Sequence, residues 1–195
     1  MNKLLFATSN LNKKKEVEAI LDSSISIYSL KDLNDFEEIE EDGLTFIDNA
    51  LIKAKHYSIK HNLPAIADDS GIVIEALGGR PGVYSRRYSG KGDLENNKLV
   101  LAEMTSKTNR NAHFVSAVVL YFPNGLYYAY EGKLFGEISN EMKGTNGFGY
   151  DSILYLKEYN KCVAELETST KNKISHRAQA IANIRRHIDE IVNYK

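Results

Sequence analysis

Pro64-Ala65-Ile66-Ala67-Asp68-Asp69-Ser70-Gly71 reads as a short buried strand that ends in two carboxylates and a turn. Small and apolar residues come first, and Ser70 and Gly71 have the turn chemistry that would close the strand. Neighbouring side chains on a strand point to opposite faces. Asp68 and Asp69 therefore need not act together: one can face a pocket while the other accepts hydrogen bonds from the turn. Carboxylates at a strand end suit Mg2+, a hard cation that takes oxygen ligands and keeps several waters. Alone, Asp-Asp-Ser-Gly reads first as an ordinary turn. The flanking chain decides between the two.

Upstream, Leu4-Leu5-Phe6-Ala7 is a second apolar run, followed by Thr8-Ser9-Asn10-Leu11-Asn12-Lys13. A helical pattern comes next, with Val17, Ile20 and Leu21 on one side and Lys14, Lys15, Glu16 and Glu18 on the other. A polar turn entering a helix N-terminus attracts phosphate through orphan N–H groups and the helix dipole. Lys13 adds a point charge, and the glycines of a Walker loop are absent. An N-capped helix with solvated lysines accounts for the same residues. Residues 25–30 alternate as a strand. The acidic run from Asp32 to Asp42 reads as solvated surface, with either Glu40 or Glu41 able to turn toward the aspartate pair. Thr45 is the expected N-cap of a helix whose stripe is Phe46, Ile47, Ala50, Leu51, Ala54 and Tyr57. Lys53, between Ala50 and Ala54, either snorkels outward or faces an anion.

Downstream, residues 72–76 read as a separate strand, and residues 77–90 as a long loop with three arginines and two tyrosines. A helix over 94–104 has Asp93 as its expected N-cap. Residues 112–121 are the strongest strand, and Pro123-Asn124-Gly125 turns the chain into a return strand over 126–134, where Gly132 suggests a bulge. Lys143-Gly144-Thr145-Asn146-Gly147-Phe148-Gly149-Tyr150-Asp151 is a second glycine-rich loop. Phe148 and Tyr150 either offer faces for stacking on a base or fold into the core. Ile174, Ala178, Ile181, Ile184, Ile188 and Ile191 mark one C-terminal helix with Ser175 as N-cap. His176 and Arg177 then place cations at the positive end of the dipole, the kind of local violation that functional sites show.

The 195 residues are 43% apolar, enough for a core, and are expected to form one domain spanning 1–195. A formal net charge of −1 lacks the basic field of a nucleic-acid binder. Cys162 is the only cysteine, so no internal disulfide forms, which suits a reducing, cytoplasmic setting. No apolar run approaches the length of a membrane span.

Six blocks in order resemble the inosine triphosphate pyrophosphatase (Ham1-like) family: Ala7-Thr8-Ser9-Asn10 with Lys13, Gly43-Leu44-Thr45-Phe46 with Asn49-Ala50, Ala67-Asp68-Asp69-Ser70-Gly71, Pro81-Gly82-Val83-Tyr84-Ser85, Gly147-Phe148-Gly149-Tyr150-Asp151, and Ser175-His176-Arg177. The resemblance implies an elongated two-lobed α/β fold around a long mixed sheet flanked by helices, with the active-site cleft between lobes, and a homodimer. It implies Mg2+-dependent conversion of ITP, dITP and XTP to the monophosphate and pyrophosphate. Carried over, Thr8, Ser9, Asn10, Leu11, Asn12 and Lys13 hold phosphates with Lys53 nearby. Glu40 and Asp69 bind Mg2+, and Asp69 activates water. Ser70 touches substrate, while Phe148, Gly149, Tyr150, Asp151, Lys171, His176 and Arg177 enclose the base. Many relatives have glycine where this chain has Ser9 and Asn12. Competing readings are a Maf-like pyrophosphatase acting on pyrimidine or modified nucleotides, a nucleotide sensor without turnover, and an RNA-binding module built on residues 80–87.

Overall fold

The computed structural model describes residues 3–8, 10–21 and 25–194. In chain order these form β1 (Lys3–Phe6), α1 (Leu11–Ile20), β2 (Ser26–Ser29), α2 (Phe46–His61), β3 (Ala65–Ile74), α3 (Asp93–Glu103), β4 (Asn111–Tyr121), β5 (Tyr127–Ile138), β6 (Leu154–Leu156), β7 (Lys161–Cys162), α4 (Thr168–Ile174), α5 (His176–Ile184) and α6 (Ile188–Asn193). The strands make a seven-stranded sheet in the order β2-β1-β3-β4-β5-β6-β7. It is mixed: β1 pairs parallel with β2 and β3, and β6 antiparallel with β5 and β7. The fold is α/β.

Two compact units divide the chain. One comprises Met1–Asp69, Ser116–Gly132 and His176–Lys195; the other comprises Ser70–Val115 and Lys133–Ser175. The first has its own core, in which Leu4, Phe6, Ile66, Val118 and Leu120 meet Val17, Ile181, Ile184 and Ile191. The second gathers Ile72, Ile74, Val100, Met104, Phe114, Tyr150 and Ile153.

The organising stretch departs from its expected form. β3 is continuous for ten residues through Asp68-Asp69-Ser70-Gly71, so the turn and the second strand at 72–76 are replaced by one strand. Gly71 serves close approach rather than a turn. A Cβ there would stand 2.6 Å from the Gly82 carbonyl oxygen and 2.9 Å from Ser85 Cβ, while Ser85 Oγ accepts from the Ile72 N–H at 2.9 Å.

α2 begins as expected, with a capping box in which Thr45 Oγ1 accepts from the Asp48 N–H and Asp48 accepts from the Thr45 N–H. α3 is capped by Gly92, with Asp93 as its first residue. At Gly132 α5 packs close on the strand, and a Cβ would lie 2.9 Å from the Ala180 nitrogen. Ser175 is extended (φ −63°, ψ 154°) just before α5, at the expected N-cap position; Ile174 ends the separate α4, and a 3-10 turn at Arg185–His187 splits the expected helix into α5 and α6.

Candidate active site

β3 sends Asp68 and Asp69 to opposite faces, as its pleat requires. Ile66, two residues before Asp68, packs among α1 and α5 side chains, and Asp68 follows it to that face. Lys13 of α1 places Nζ 3.0 and 2.9 Å from the two Asp68 carboxylate oxygens. Arg177 of α5 donates to Asp68 Oδ2 from Nε at 3.2 Å and from Nη2 at 3.0 Å. Its Nη1 donates to Glu16 of α1. Arg177 is 1% exposed and Asp68 2%. Burial alone would raise the Asp68 carboxyl, but Lys13, Arg177 and Lys53 hold it far below the usual carboxylate range. Lys13 is pushed down by burial and by its cationic neighbours, against the pull of Asp68. Asp68 is therefore held by cations and is not the acceptor of turn hydrogen bonds.

Asp69 meets α2. Asn49 Nδ2 donates to Asp69 Oδ2 at 3.0 Å, and Asn49 Oδ1 accepts from the Gly43 N–H at 2.8 Å. Gly43 is needed for this approach: a Cβ would lie 2.9 Å from the Asn49 nitrogen. Lys53 Nζ donates to the Asp68 main-chain oxygen at 2.7 Å and pairs with Glu41 at 2.8 Å. Burial raises the Asp69 carboxyl, and the Glu41 charge adds to that shift against the pull of Lys53 and Asn49. The two adjacent aspartates thus sit in opposite surroundings, one carboxyl held low by cations and the other raised by burial.

A cation here must find oxygen donors. Among the described residues no group of three or more His, Cys, Asp or Glu gathers. Asp69 beside a carboxylate of the Glu40-Glu41 pair does suit Mg2+, which takes one or two protein carboxylates and completes its shell with water and phosphate oxygens. Of that pair, Glu41 faces Lys53, while the Glu40 side chain is exposed.

The loop after β1 is an N-cap. Asn10 Oδ1 accepts from the N–H groups of Asn12 at 2.9 Å and Lys13 at 3.3 Å, and Thr8 Oγ1 accepts from the Asn10 N–H at 3.1 Å. Asn10, Leu11 and Asn12 are exposed. Ser9 lies outside the described residues.

In the other unit, Ser70 follows Asp69 along β3, partly exposed. The loop at 144–151 is tightly braced. Asp151 Oδ2 accepts from the Phe148 N–H at 3.0 Å and from Lys171 Nζ at 2.7 Å. Gly147 (φ +83°) leaves room for that carboxylate, and Lys171 Nζ sits 4.9 Å from the Phe148 ring centre. Tyr150 corrects the stacking expectation: it is 6% exposed in the core, its hydroxyl donates to the Ser85 carbonyl at 2.7 Å, and burial pushes its pKa up strongly. Of the two aromatics only Phe148 keeps a half-exposed ring.

The sequence reading placed Thr8 to Lys13, Lys53 and Asp69 in one neighbourhood, and the first unit brings Lys13, Lys53, Asp68 and Asp69 together. Arg177 and His176 are 1% and 7% exposed, and Arg177 spends hydrogen bonds on carboxylates of its own unit. Asn49, quoted in a family block, and Glu16, placed on the polar side of its helix, were given no role. Asn49 carried a signal, being a polar residue beside Ala50 on the buried face of α2.

A family model described as "Ham1 family" matches residues 4–187. A dITP/XTP pyrophosphatase of Geobacter sulfurreducens is 44% identical over 193 residues, 96% of this chain and 97% of its own. One from Haemophilus influenzae is 46% identical, over 92% of this chain and 95% of its own. The solved structure of a HAM1 protein from Coxiella burnetii superposes with a TM-score of 0.89 at 38% identity, covering 97% of this chain and all of its own.

Proposed function

We propose, from the premise that the chain belongs to the Ham1 family, that it is a hydrolase converting dITP, ITP and XTP to the monophosphate and pyrophosphate. The observation that carries the reading is the split of the aspartate pair: Asp69, raised by burial, stands beside Asn49 and Lys53, while Asp68 is locked between Lys13 and Arg177. Cleavage between the α and β phosphates needs charge neutralisation and a positioned water more than covalent chemistry. Lys13 and Lys53, each with three ammonium donors, neutralise phosphate oxygens, and Asn10 organises the helix N-terminus that receives them. Asn49 orients the Asp69 carboxylate, which takes the proton of the attacking water. Asp69 and a carboxylate of the Glu40-Glu41 pair would hold Mg2+, which when bound would supply Lewis acidity and a water of lowered pKa.

Phe148, Asp151 and Lys171 are assigned to the base. Hypoxanthine and xanthine present an acceptor at O6 and a donor at N1, and adenine reverses that pattern, so fixed donors favour the former. Residues 1–195 are read as one catalytic domain, supported by the reach of the family match. The cytoplasm and a homodimer complete the proposal, the first supported by the single cysteine. Pyrophosphate release with Mg2+ from ITP, dITP and XTP against ATP, GTP, CTP and UTP tests it. Preference for the first three is the expected result. Release chiefly from pyrimidine nucleotides, or tight binding without release, would overturn it.

A further inference from the structure

Gly149 is held at both of its polar groups by one helix. Asp93 Oδ2 accepts from the Gly149 N–H at 2.8 Å, and Asn97 Nδ2 donates to the Gly149 carbonyl at 2.8 Å. Asp93 and Asn97 are four apart on α3, the spacing that puts two side chains on one helix face. Gly149 itself has φ +62°, and a Cβ there would meet nothing within 4 Å. The glycine is required by its left-handed backbone and not by space. The α3 clamp therefore fixes a conformation that the loop would not otherwise prefer over its alternatives.

The residues on either side are fixed through that point. The Phe148 N–H is bound by Asp151, the Tyr150 hydroxyl by the Ser85 carbonyl, and Asp151 by Lys171. The Phe148 side chain stays partly exposed beside this clamp, with Lys171 against its ring. Asn97 is 4% exposed, and its Oδ1 is buried with no hydrogen-bond partner. An unsatisfied buried acceptor costs stability, and an apolar side chain would avoid that cost. Turning the amide over would set Oδ1 against the Gly149 carbonyl. The amide at 97 thus carries a burden that packing alone does not justify, in return for one bond to Gly149.

We propose that Asp93 and Asn97 are positioning residues that set base discrimination by clamping Gly149, and through it Phe148 and Lys171. The proposal rests on the assignment of this loop to the base under the proposed function. Neither residue is given contact with substrate; each acts through the loop.

The test measures kcat/KM for ITP and ATP with Mg2+, together with Tm, in the wild type and in Asn97→Ala, Asp93→Ala and Asp93→Asn. Each alanine variant is expected to lower the ITP-to-ATP ratio of kcat/KM by about three- to tenfold, the range of one hydrogen bond, chiefly through a higher KM for ITP. Asp93→Asn keeps an acceptor for the Gly149 N–H and is expected to restore the ratio to within about twofold. An unchanged ratio, or an equal fall for both substrates, overturns the proposal whatever happens to Tm. Should Asn97→Ala fail to fold, the two variants at the exposed Asp93 decide. A wild-type enzyme with no preference for ITP overturns the functional reading itself, and this assignment with it. A wild type that discriminates alongside variants that discriminate equally well refutes the clamp alone.

Discussion

Replacing Asp68 by asparagine and, separately, Asp69 by asparagine makes the same chemical change at adjacent residues and is expected to give opposite results. Asp68 faces Lys13 at 2.9 Å and Arg177 at 3.0 and 3.2 Å, and Arg177 is 1% exposed. Asp68→Asn leaves that guanidinium with Glu16 and leaves Lys13 without its counter-charge. Removing one partner of a buried pair costs about 3–5 kcal/mol. For a chain of this length each kcal/mol moves Tm by about 2–4 °C, so Asp68→Asn should melt about 6–20 °C below the wild type. Asp69→Asn keeps an amide oxygen for the Asn49 donor and removes a charge that burial already disfavours. Its stability should stay within about 1 kcal/mol of the wild type, while pyrophosphate release from ITP falls by at least about 100-fold. Thermal unfolding at pH 7 and a pyrophosphate-release assay on the same preparations read both quantities. An Asp68→Asn protein melting within about 2 °C of the wild type, or an Asp69→Asn protein less stable than Asp68→Asn, would refute the division of roles.

Three further outcomes follow from the geometry. Burial pushes the Asp35 carboxyl up, but Lys60, the Glu37 N–H and His61 outweigh it and hold the pKa at about 2. The stability this gives, at most about 2 kcal/mol, is fully present above the ordinary aspartate value and is lost as pH falls through about 2. Urea unfolding of Asp35→Asn should accordingly approach the wild-type curve as pH drops from 5 to 3, and a gap that widens would contradict the sign. Gly71→Ala should lose about 1–3 kcal/mol, because its methyl would press on the Gly82 carbonyl and Ser85; unchanged urea unfolding would show the strand can yield there. Tyr150→Phe should lower stability by about 1–3 kcal/mol and leave the ITP preference intact, since the hydroxyl bonds Ser85; a changed preference with unchanged Tm would return Tyr150 to the base.

The legible parts of this chain were those written locally. Thr45 announces the start of α2 by residue type, and it caps that helix in a box with Asp48. The Pro123-Asn124-Gly125 turn is equally readable: Gly125 has φ +93° and the Leu126 N–H bonds Asn124 Oδ1. Asp68-Asp69-Ser70-Gly71 misled because its composition fits a turn while its neighbours in space make it a strand. Ser85, 14 residues on, fills the place of the missing Gly71 side chain, and no local pattern reports such a contact. Tyr150 misled for a related reason. An aromatic just after Gly149 in a glycine-rich loop looks available, yet its hydroxyl finds the Ser85 carbonyl, 65 residues away in the chain.

Arg177 shows what the sequence held without explaining. A cation in the first turn of a helix opposes the dipole, and that conflict marked it. The resolution lies in two carboxylates, Asp68 on β3 and Glu16 on α1, far apart in sequence. The same pair of contacts explains why the two aspartates can differ so sharply while sharing a peptide bond. A strand gives adjacent residues opposite faces at no conformational cost. One face here carries α1 and α5 with their cations; the other carries α2 with the Asn49 amide and the Lys53–Glu41 pair. Lys13 and Arg177 spend their hydrogen bonds on Asp68, so Asp69 on the second face is bonded by Asn49 and feels Lys53 and Lys13 only through space. The assignment of Asp69 depends on Asp68 for this reason, and a one-residue slip of β3, which turns every side chain to the other face, would undo both.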